Sequence, residues 1–455
     1  MRIINAGSPE LEAFLEKLTE RAADAMDANV SSRVAEIVDS VKNEGDAALR
    51  RLTAEFDGVE TESLSLPQAA LEAAWEAAAP ELKAALEQTK AAILEYHRPQ
   101  IPEDYEIVRP DGSRLRMLHR GLDRVGLYVP GGTAAYPSTV LMNALPAKLA
   151  GVGELIMVTP PAGATDTAPG GDVVLAAAWL AGVDRVFRVG GAQAIAALAY
   201  GTESIPAVDK IVGPGNQYVA LAKRQVYGLV DIDSFAGPSE ILVLADHSAP
   251  PEWVAADLLS QAEHDKQAAS IMITTDPELA DLVAVAVERR VEQAERGGII
   301  RASIENYSAI ILCNDEAEMM DLTNRIAPEH LEIMTADPQR QLVGVRNAGS
   351  VFLGPWSPEV LGDYTAGVNH VLPTAGTARF ASPLGVYSFI KRMSVIEYTK
   401  EGLAATQEAI VTLTDCEGLP AHGEAAVVRK NSCNPQADVR KNSANPRKGA
   451  TRCFK

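Results

Sequence analysis

Apolar positions in the N-terminal part of the chain recur at helical spacing. Between Ser31 and Phe56 the stripe Val34, Ile37, Val38, Val41 and Ala48 stays near the 3.6-residue period. Asp57-Gly58 then supplies a stop. Residues 9–56 therefore read as helices rich in Ala, Glu and Arg, and residues 67–97 as another helical block. Residues 108–120 read as a short strand pair around the turn Pro110-Asp111-Gly112.

From Val125 the texture changes. The apolar runs 125–129, 155–159, 185–189 and 210–212 each end in a Gly- or Pro-marked turn. The turns are Pro130-Gly131-Gly132, Pro160-Pro161, Gly190-Gly191-Ala192-Gln193 and Gly213-Pro214-Gly215-Asn216. Helical patterns follow at 138–149, 172–181, 194–200 and 217–226. A repeated strand, turn and helix predicts a parallel sheet with crossover helices. A second series follows, with strands at 240–245, 270–275, 309–313 and 350–353 and helices at 251–268 and 316–325. Two α/β units are expected, followed by a helix over about 396–415.

Composition supports this picture. The 455 residues are 47% apolar but only 5% aromatic, with 34 Gly, so the core is built mainly from Ala, Val, Leu and Ile. The length allows two or more domains. A formal net charge of -20 argues against non-specific binding to nucleic acid or to an anionic membrane. No stretch approaches the roughly 20 apolar residues of a membrane span. The N-terminus, Met1 to Gly7, has no apolar signal core. Cys313, Cys416, Cys433 and Cys453 form neither a CxxC pair nor a disulfide framework. A reducing cytoplasm is the expected compartment. The tail 430–455 is basic and polar, with Arg429 to Pro435 nearly recurring as Arg440 to Pro446, and is expected to be disordered.

The candidate chemistry lies in a few polar segments. Gln261-Ala262-Glu263-His264 puts an amide and an imidazole three residues apart in a stretch that reads as helix, so both face one side. Such a pair can share a metal, although a polar helix surface presents the same pattern. Pro328-Glu329-His330 puts a carboxylate beside an imidazole. That pair suits multi-step proton transfer, and equally a polar helix end favoured by the dipole. Asp363, His370, Glu417 and His422 add further polar groups, and four of the seven histidines fall in these segments. With Gln261, His264, Asp363 and His422 the donors are nitrogen and oxygen without thiolate, which suits a catalytic zinc. The Gly-rich turns are candidate dinucleotide contacts at helix N-termini. None fits GxGxxG, and tight turns use Gly for steric reasons alone. Cys313 ends a buried strand and has no setting for a thiolate nucleophile.

The ordered motifs resemble the histidinol dehydrogenase family over about residues 10 to 429. They are the segments 126–132, 189–193, 212–216, 236–240, 261–265, 327–332 and 369–374. The resemblance implies NAD-dependent oxidation of L-histidinol to L-histidine through L-histidinaldehyde, with two NAD and one zinc. By position it implies Gln261, His264, Asp363 and His422 as zinc ligands and Glu329 and His330 as the proton-transfer pair. The zinc ligands and His330 would also meet substrate, with Ser239, His370 and Glu417 as further contacts. Tyr128, Gln193 and Asn216 would meet NAD. The implied fold is two incomplete Rossmann-like domains with parallel-sheet cores and small helical terminal segments. Its expected divisions are a 1–25 helical segment, a first domain of 26–127 with 240–322, a second of 128–239 with 323–383, and a 384–429 helical segment. That last segment, carrying Glu417 and His422, would complete the partner's site in a homodimer. Competing readings are a related dehydrogenase acting on another alcohol, such as a sulfonated diol, and a zinc-dependent binding protein without turnover.

Overall fold

The computed structural model describes residues 1–24, 28–131, 136–161, 172–234 and 237–429. Gly132, Ala236, Cys433, Cys453 and the tail whose composition suggested disorder lie outside the described residues. The chain divides into two units, 1–101 with 121–391, and 102–120 with 392–455.

The first unit contains two six-stranded sheets. One runs in the order β1 (Ile3–Asn5), β12 (Ala309–Leu312), β11 (Ala269–Thr274), β10 (Glu240–Ala245), β13 (His330–Met334), β14 (Ser350–Leu353), and every neighbouring pair is parallel. The other runs β2 (Ser65–Leu66), β7 (Arg185–Arg188), β6 (Glu154–Thr159), β5 (Arg124–Tyr128), β8 (Lys210–Val212), β9 (Asp231–Ile232). It is parallel except where β2 meets β7. Both α/β units predicted from the turn-marked runs are therefore present.

The apolar runs are continuous rather than alternating because these strands are covered on both faces. All six residues of β10 and of β11 are buried. On one face of the first sheet Ile241, Val243 and Met272 meet Val254, Leu258 and Val283 from the helices Pro251–Ala262 and Pro277–Gln293. On the other face Leu242, Leu244 and Ile273 meet Leu11 and Phe14 from the helix Pro9–Asp24.

Strand pairing divides the chain differently from the expected ranges. Residues 330–334 and 350–353, assigned to the second domain, join the first sheet through β10. Residues 1–24, expected as a separate helical segment, supply β1 and a helix to that same sheet. The helices of 28–97, assigned to the first domain, cover the second sheet instead. Val34, Val41 and Leu49 pack with Ile195 and Leu198, and Leu71 and Ile93 pack with Val140 and Leu175. β5 lies at the centre of that sheet. Each apolar helix face goes where a complementary sheet face exists, irrespective of chain order.

The second unit is a three-stranded sheet, β15 (Ile390–Glu397), β4 (Arg114–Gly121), β3 (Tyr105–Val108), with the helices Lys400–Cys416 and Pro420–Val427. The expected 384–429 segment thus begins inside the first unit, and the second unit includes the 102–120 hairpin. The strand β15 precedes the helix expected from about residue 396, which starts at Lys400. Among the described residues no helix is long and apolar enough to cross a membrane.

One glycine holds the site loop by close approach. Gly213, after β8, has φ +113°, and a Cβ there would lie 2.0 Å from the Tyr128 carbonyl oxygen. Its N–H donates to Asp233 and its carbonyl accepts from Lys223, a pair buried between the loop and the helix Gln217–Val226. We expect Gly213→Ala to lower unfolding free energy by at least about 2 kcal/mol, measured by urea denaturation.

Candidate active site

Two adjoining pockets open in the first unit. One, of about 470 Å³, is lined by Ser239, Gln261, His264, Glu329, His330, Asp363 and His370. The other, of about 740 Å³, is lined by Tyr128 and Gln193. Asn216, Pro130 and Gly131 line both. The fold therefore brings together all the expected site residues except Glu417 and His422. Those two are exposed residues of the second unit: Glu417 ends the helix Lys400–Cys416, and His422 sits in the first turn of Pro420–Val427.

The two sheets present opposite ends to the site. The second contributes loops after β5, β7 and β8, the C-terminal strand ends where α/β sheets ordinarily bind ligands. The first contributes the N-terminal ends of β10 and β13, carrying Ser239, Glu329 and His330. The C-terminal end of Pro251–Ala262 adds Gln261. That helix stops earlier than the expected 268, so His264 lies in the turn beyond it, its N–H donating to the Gln261 carbonyl at 3.2 Å. The pair shares the pocket through this turn and not through a common helix face. A helix C-terminus carries partial negative charge and favours a cation.

Glu329 and His330 are each 5% exposed, at the start of a buried strand rather than at a helix end. One residue, Glu240, holds both. Its N–H donates to Glu329 Oε2 at 3.0 Å, and its carbonyl lies 3.1 Å from His330 Nδ1. A carbonyl only accepts, so Nδ1 carries the proton and Nε2 of the neutral ring keeps its lone pair. His330 Nε2 lies 3.6 Å from Glu359 Oε1. Asn369 accepts from the Val371 N–H at 2.9 Å and donates to the Met142 carbonyl at 2.7 Å, fixing the loop that carries His370.

Burial governs the charges here. It pushes His330 down to about 4, against the pull of Asp363. It raises Glu329 well above the ordinary carboxyl value, with Glu240, Asp363 and Glu359 adding repulsion. Glu359 rises to about 8 through burial and the neighbouring Asp363. Such a crowd of acids favours a cation that would offset its repulsion.

The donor set fits a metal. Among the described residues, ligand atoms of His330, Glu359 and Asp363 lie within 4.8 Å of one another. Gln261 Oε1 is a buried acceptor with no hydrogen-bond partner, an expensive arrangement unless something else satisfies it. Nitrogen and oxygen donors without thiolate match the zinc chemistry expected above. No motif in the sequence singles out Glu359. Its position four residues before Asp363 was the available signal, and the hydrogen bond from its N–H to Glu332 at 2.7 Å sets it in place.

The larger pocket suits an elongated anionic ligand. The helix Gly191–Tyr200 begins at it without a side-chain cap, leaving N–H groups for a phosphate. The Gly191 N–H reaches the Tyr128 hydroxyl at 3.2 Å. Asn216 caps the helix Gln217–Val226 by accepting from Tyr218 and Val219 N–H groups. Cys313 is buried and its thiol is pushed up to about 12, as expected for a core cysteine and not a nucleophile.

These shifts carry a pH prediction for chelator-treated protein. Between about 4 and 6.5 the unfolded chain protonates His330 where the folded protein does not, so stability falls as pH drops through that window. Glu359 acts oppositely. The folded protein keeps its proton between 4.5 and about 8, so that stabilisation is complete below 4.5 and lost as pH rises. From pH 6.5 to 8 Glu359 alone of the two contributes. Unfolding free energy should fall by about 1–2 kcal/mol over that interval. Urea denaturation should show the fall reduced in Glu359→Gln, with the remainder coming from Glu329, whose carboxyl burial also raises.

A family model described as histidinol dehydrogenase matches residues 20–430. The histidinol dehydrogenase of Clostridium acetobutylicum is 48% identical over 429 residues, spanning 94% of this chain and 99% of that protein. That of Listeria innocua is 50% identical over 418 residues, spanning 92% and 97%. The crystal structure of histidinol dehydrogenase from Elizabethkingia anophelis superposes with a TM-score of 0.86 at 34% identity, covering 94% of this chain and 98% of that one. With near-complete coverage in sequence and in structure, the chain belongs to the histidinol dehydrogenase family.

Proposed function

We propose that the chain oxidises L-histidinol to L-histidine through L-histidinaldehyde, reducing two NAD+ with one zinc per subunit. The observation that carries this reading is the juxtaposition of Glu329 and His330 with Gln261, His264 and Asp363 in a pocket that adjoins a second through Asn216, Pro130 and Gly131.

Gln261, His264, Asp363 and His422 would hold the zinc. When bound, it would anchor the imidazole and amine of the substrate and fix the alcohol carbon for reaction. His330 Nε2 takes the hydroxyl proton as hydride leaves the carbon for NAD+. Glu329, whose ionised form is made a stronger base because burial holds its carboxyl well above the ordinary value, takes a proton from the water that adds to the aldehyde carbon. The resulting gem-diol loses a second hydride and a hydroxyl proton. The balance is one alcohol, two NAD+ and one water giving one carboxylate, two NADH and three protons. No covalent enzyme intermediate is required, in keeping with the lining of both pockets, whose described residues include no cysteine.

Ser239 and His370 serve as substrate contacts, and Tyr128, Gln193 and Asn216 meet NAD. Glu417 and His422 complete a partner's site in a homodimer. Their exposure supports this, as do the exposed Tyr105, Ile107, Ile396 and Leu413 of the second unit, apolar surface of the kind that marks an interface. The cytoplasm is the working compartment.

The test is to incubate zinc-loaded protein with L-histidinol and excess NAD+ and to measure NADH and histidine together. Two NADH per histidine, abolished by a chelator and restored by zinc, is the expected result. Absence of NADH from a fully metallated dimer would overturn the substrate assignment.

A further inference from the structure

We propose that the buried Arg21–Glu240 ion pair is a positioning device for Glu329 and His330. The inference rests on the activity proposed above for that pair. Arg21, from the helix Pro9–Asp24, is 1% exposed, and Glu240 is 6% exposed. The guanidinium spans two strand entries. Nη2 donates to Glu240 Oε2 at 2.7 Å and Nη1 to the Gln267 carbonyl at 2.7 Å, just before β11. The other carboxylate oxygen of Glu240 accepts from the Gly376 N–H at 3.3 Å. The side chain of residue 240 is therefore held from both sides while its backbone grips the reacting pair, N–H on Glu329 and carbonyl on His330.

Register alone does not account for an ion pair at this place. β10 is already fixed by parallel ladders to β11 and β13. Glu240 pairs with Ala269 of β11 but precedes the ladder to β13, which begins at Ile241 and His330, so on the side that holds Glu329 and His330 its backbone groups lie at a ladder end, where strands fray. A rigid planar fork across two strand entries removes that freedom. Burying two charges is expensive, and an apolar pair is often equally stable, so their presence fits a demand for orientation. Among the described residues Arg21 makes no hydrogen bond to either catalytic side chain, and it acts through Glu240.

The test compares kcat and KM for L-histidinol in zinc-loaded wild type, Arg21→Lys, Glu240→Gln and the double variant Arg21→Met/Glu240→Gln, which leaves no unpaired charge. Each is also made with Glu329→Gln. The expected result is kcat lower by about tenfold with KM within about threefold, zinc content unchanged, and a smaller further loss where Glu329 is already replaced, because only the hold on His330 then remains. Wild-type kcat in the folded variants, or equal losses in both backgrounds, would overturn the inference. A readout independent of substrate is the nitrogen NMR spectrum of the His330 ring, assigned by its loss in His330→Asn. The Nδ1–H tautomer should dominate in wild type and give way to a mixture in the variants. An unchanged tautomer would likewise overturn the inference. Absence of wild-type turnover with a shifted tautomer would instead sink the substrate assignment alone.

Discussion

His330→Asn will lower turnover of L-histidinol by about 10²- to 10⁴-fold while leaving zinc content near that of wild type. Asparagine preserves the polarity and approximate size at Nδ1, so the contact with the Glu240 carbonyl can persist. It removes the basic Nε2, the nitrogen that faces Glu359 and the pocket. Burial keeps the imidazole neutral down to about pH 4, so the base is available throughout the neutral range and its loss cannot be repaired by raising pH within that range. The expected signature is a fall in kcat with KM for NAD+ little changed, because the cofactor contacts lie in the neighbouring pocket. Wild-type turnover would remove His330 as the base. Loss of zinc would identify it as a ligand, in keeping with its proximity to Glu359 and Asp363.

The second large effect is on the metal. Asp363→Ala and Gln261→Ala are each expected to weaken zinc binding by at least about 100-fold and to abolish turnover until zinc is supplied in excess. Asp363 belongs to both candidate groupings, the sequence-expected set and the cluster with His330 and Glu359. Gln261 distinguishes them. Among the described residues its buried Oε1, at a helix C-terminus, has no hydrogen-bond partner. Metal analysis of Gln261→Ala, Glu359→Gln and Asp363→Ala after dialysis checks the assignment. Retention of zinc in Gln261→Ala with loss in Glu359→Gln would replace the expected set with the carboxylate cluster.

Much of this protein was legible along the chain. The strands 125–129, 155–159, 185–189 and 210–212 and their following helices are close to those observed, because a buried parallel strand is a continuous apolar run that ends at a turn residue. Gly213 was visible as a turn, though not the 2.0 Å approach that demands it. The strand β13 was missed since Glu329-His330-Leu331-Glu332 breaks an apolar run with two buried acids and a histidine. Tertiary partners hold those groups, Glu240 gripping Glu329 and His330 and the Glu359 N–H donating to Glu332, and no local pattern announces them.

The amino-acid sequence by itself determined the α/β class, the family and the residue types available for proton transfer and metal binding. These depend on local periodicity, turn chemistry and ordered motifs, all of which are written within a few residues of one another. Only the tertiary structure decided that 330–334 pairs with 240–245, that 28–97 covers the second sheet, and that Arg21 stands behind Glu240. It also added Glu359 to the site and raised the Glu329 and Glu359 carboxyls above the ordinary value. Burial, strand partners and the repulsion among acids arise from groups mostly tens to hundreds of residues apart, and they have no value until the chain has brought those groups together.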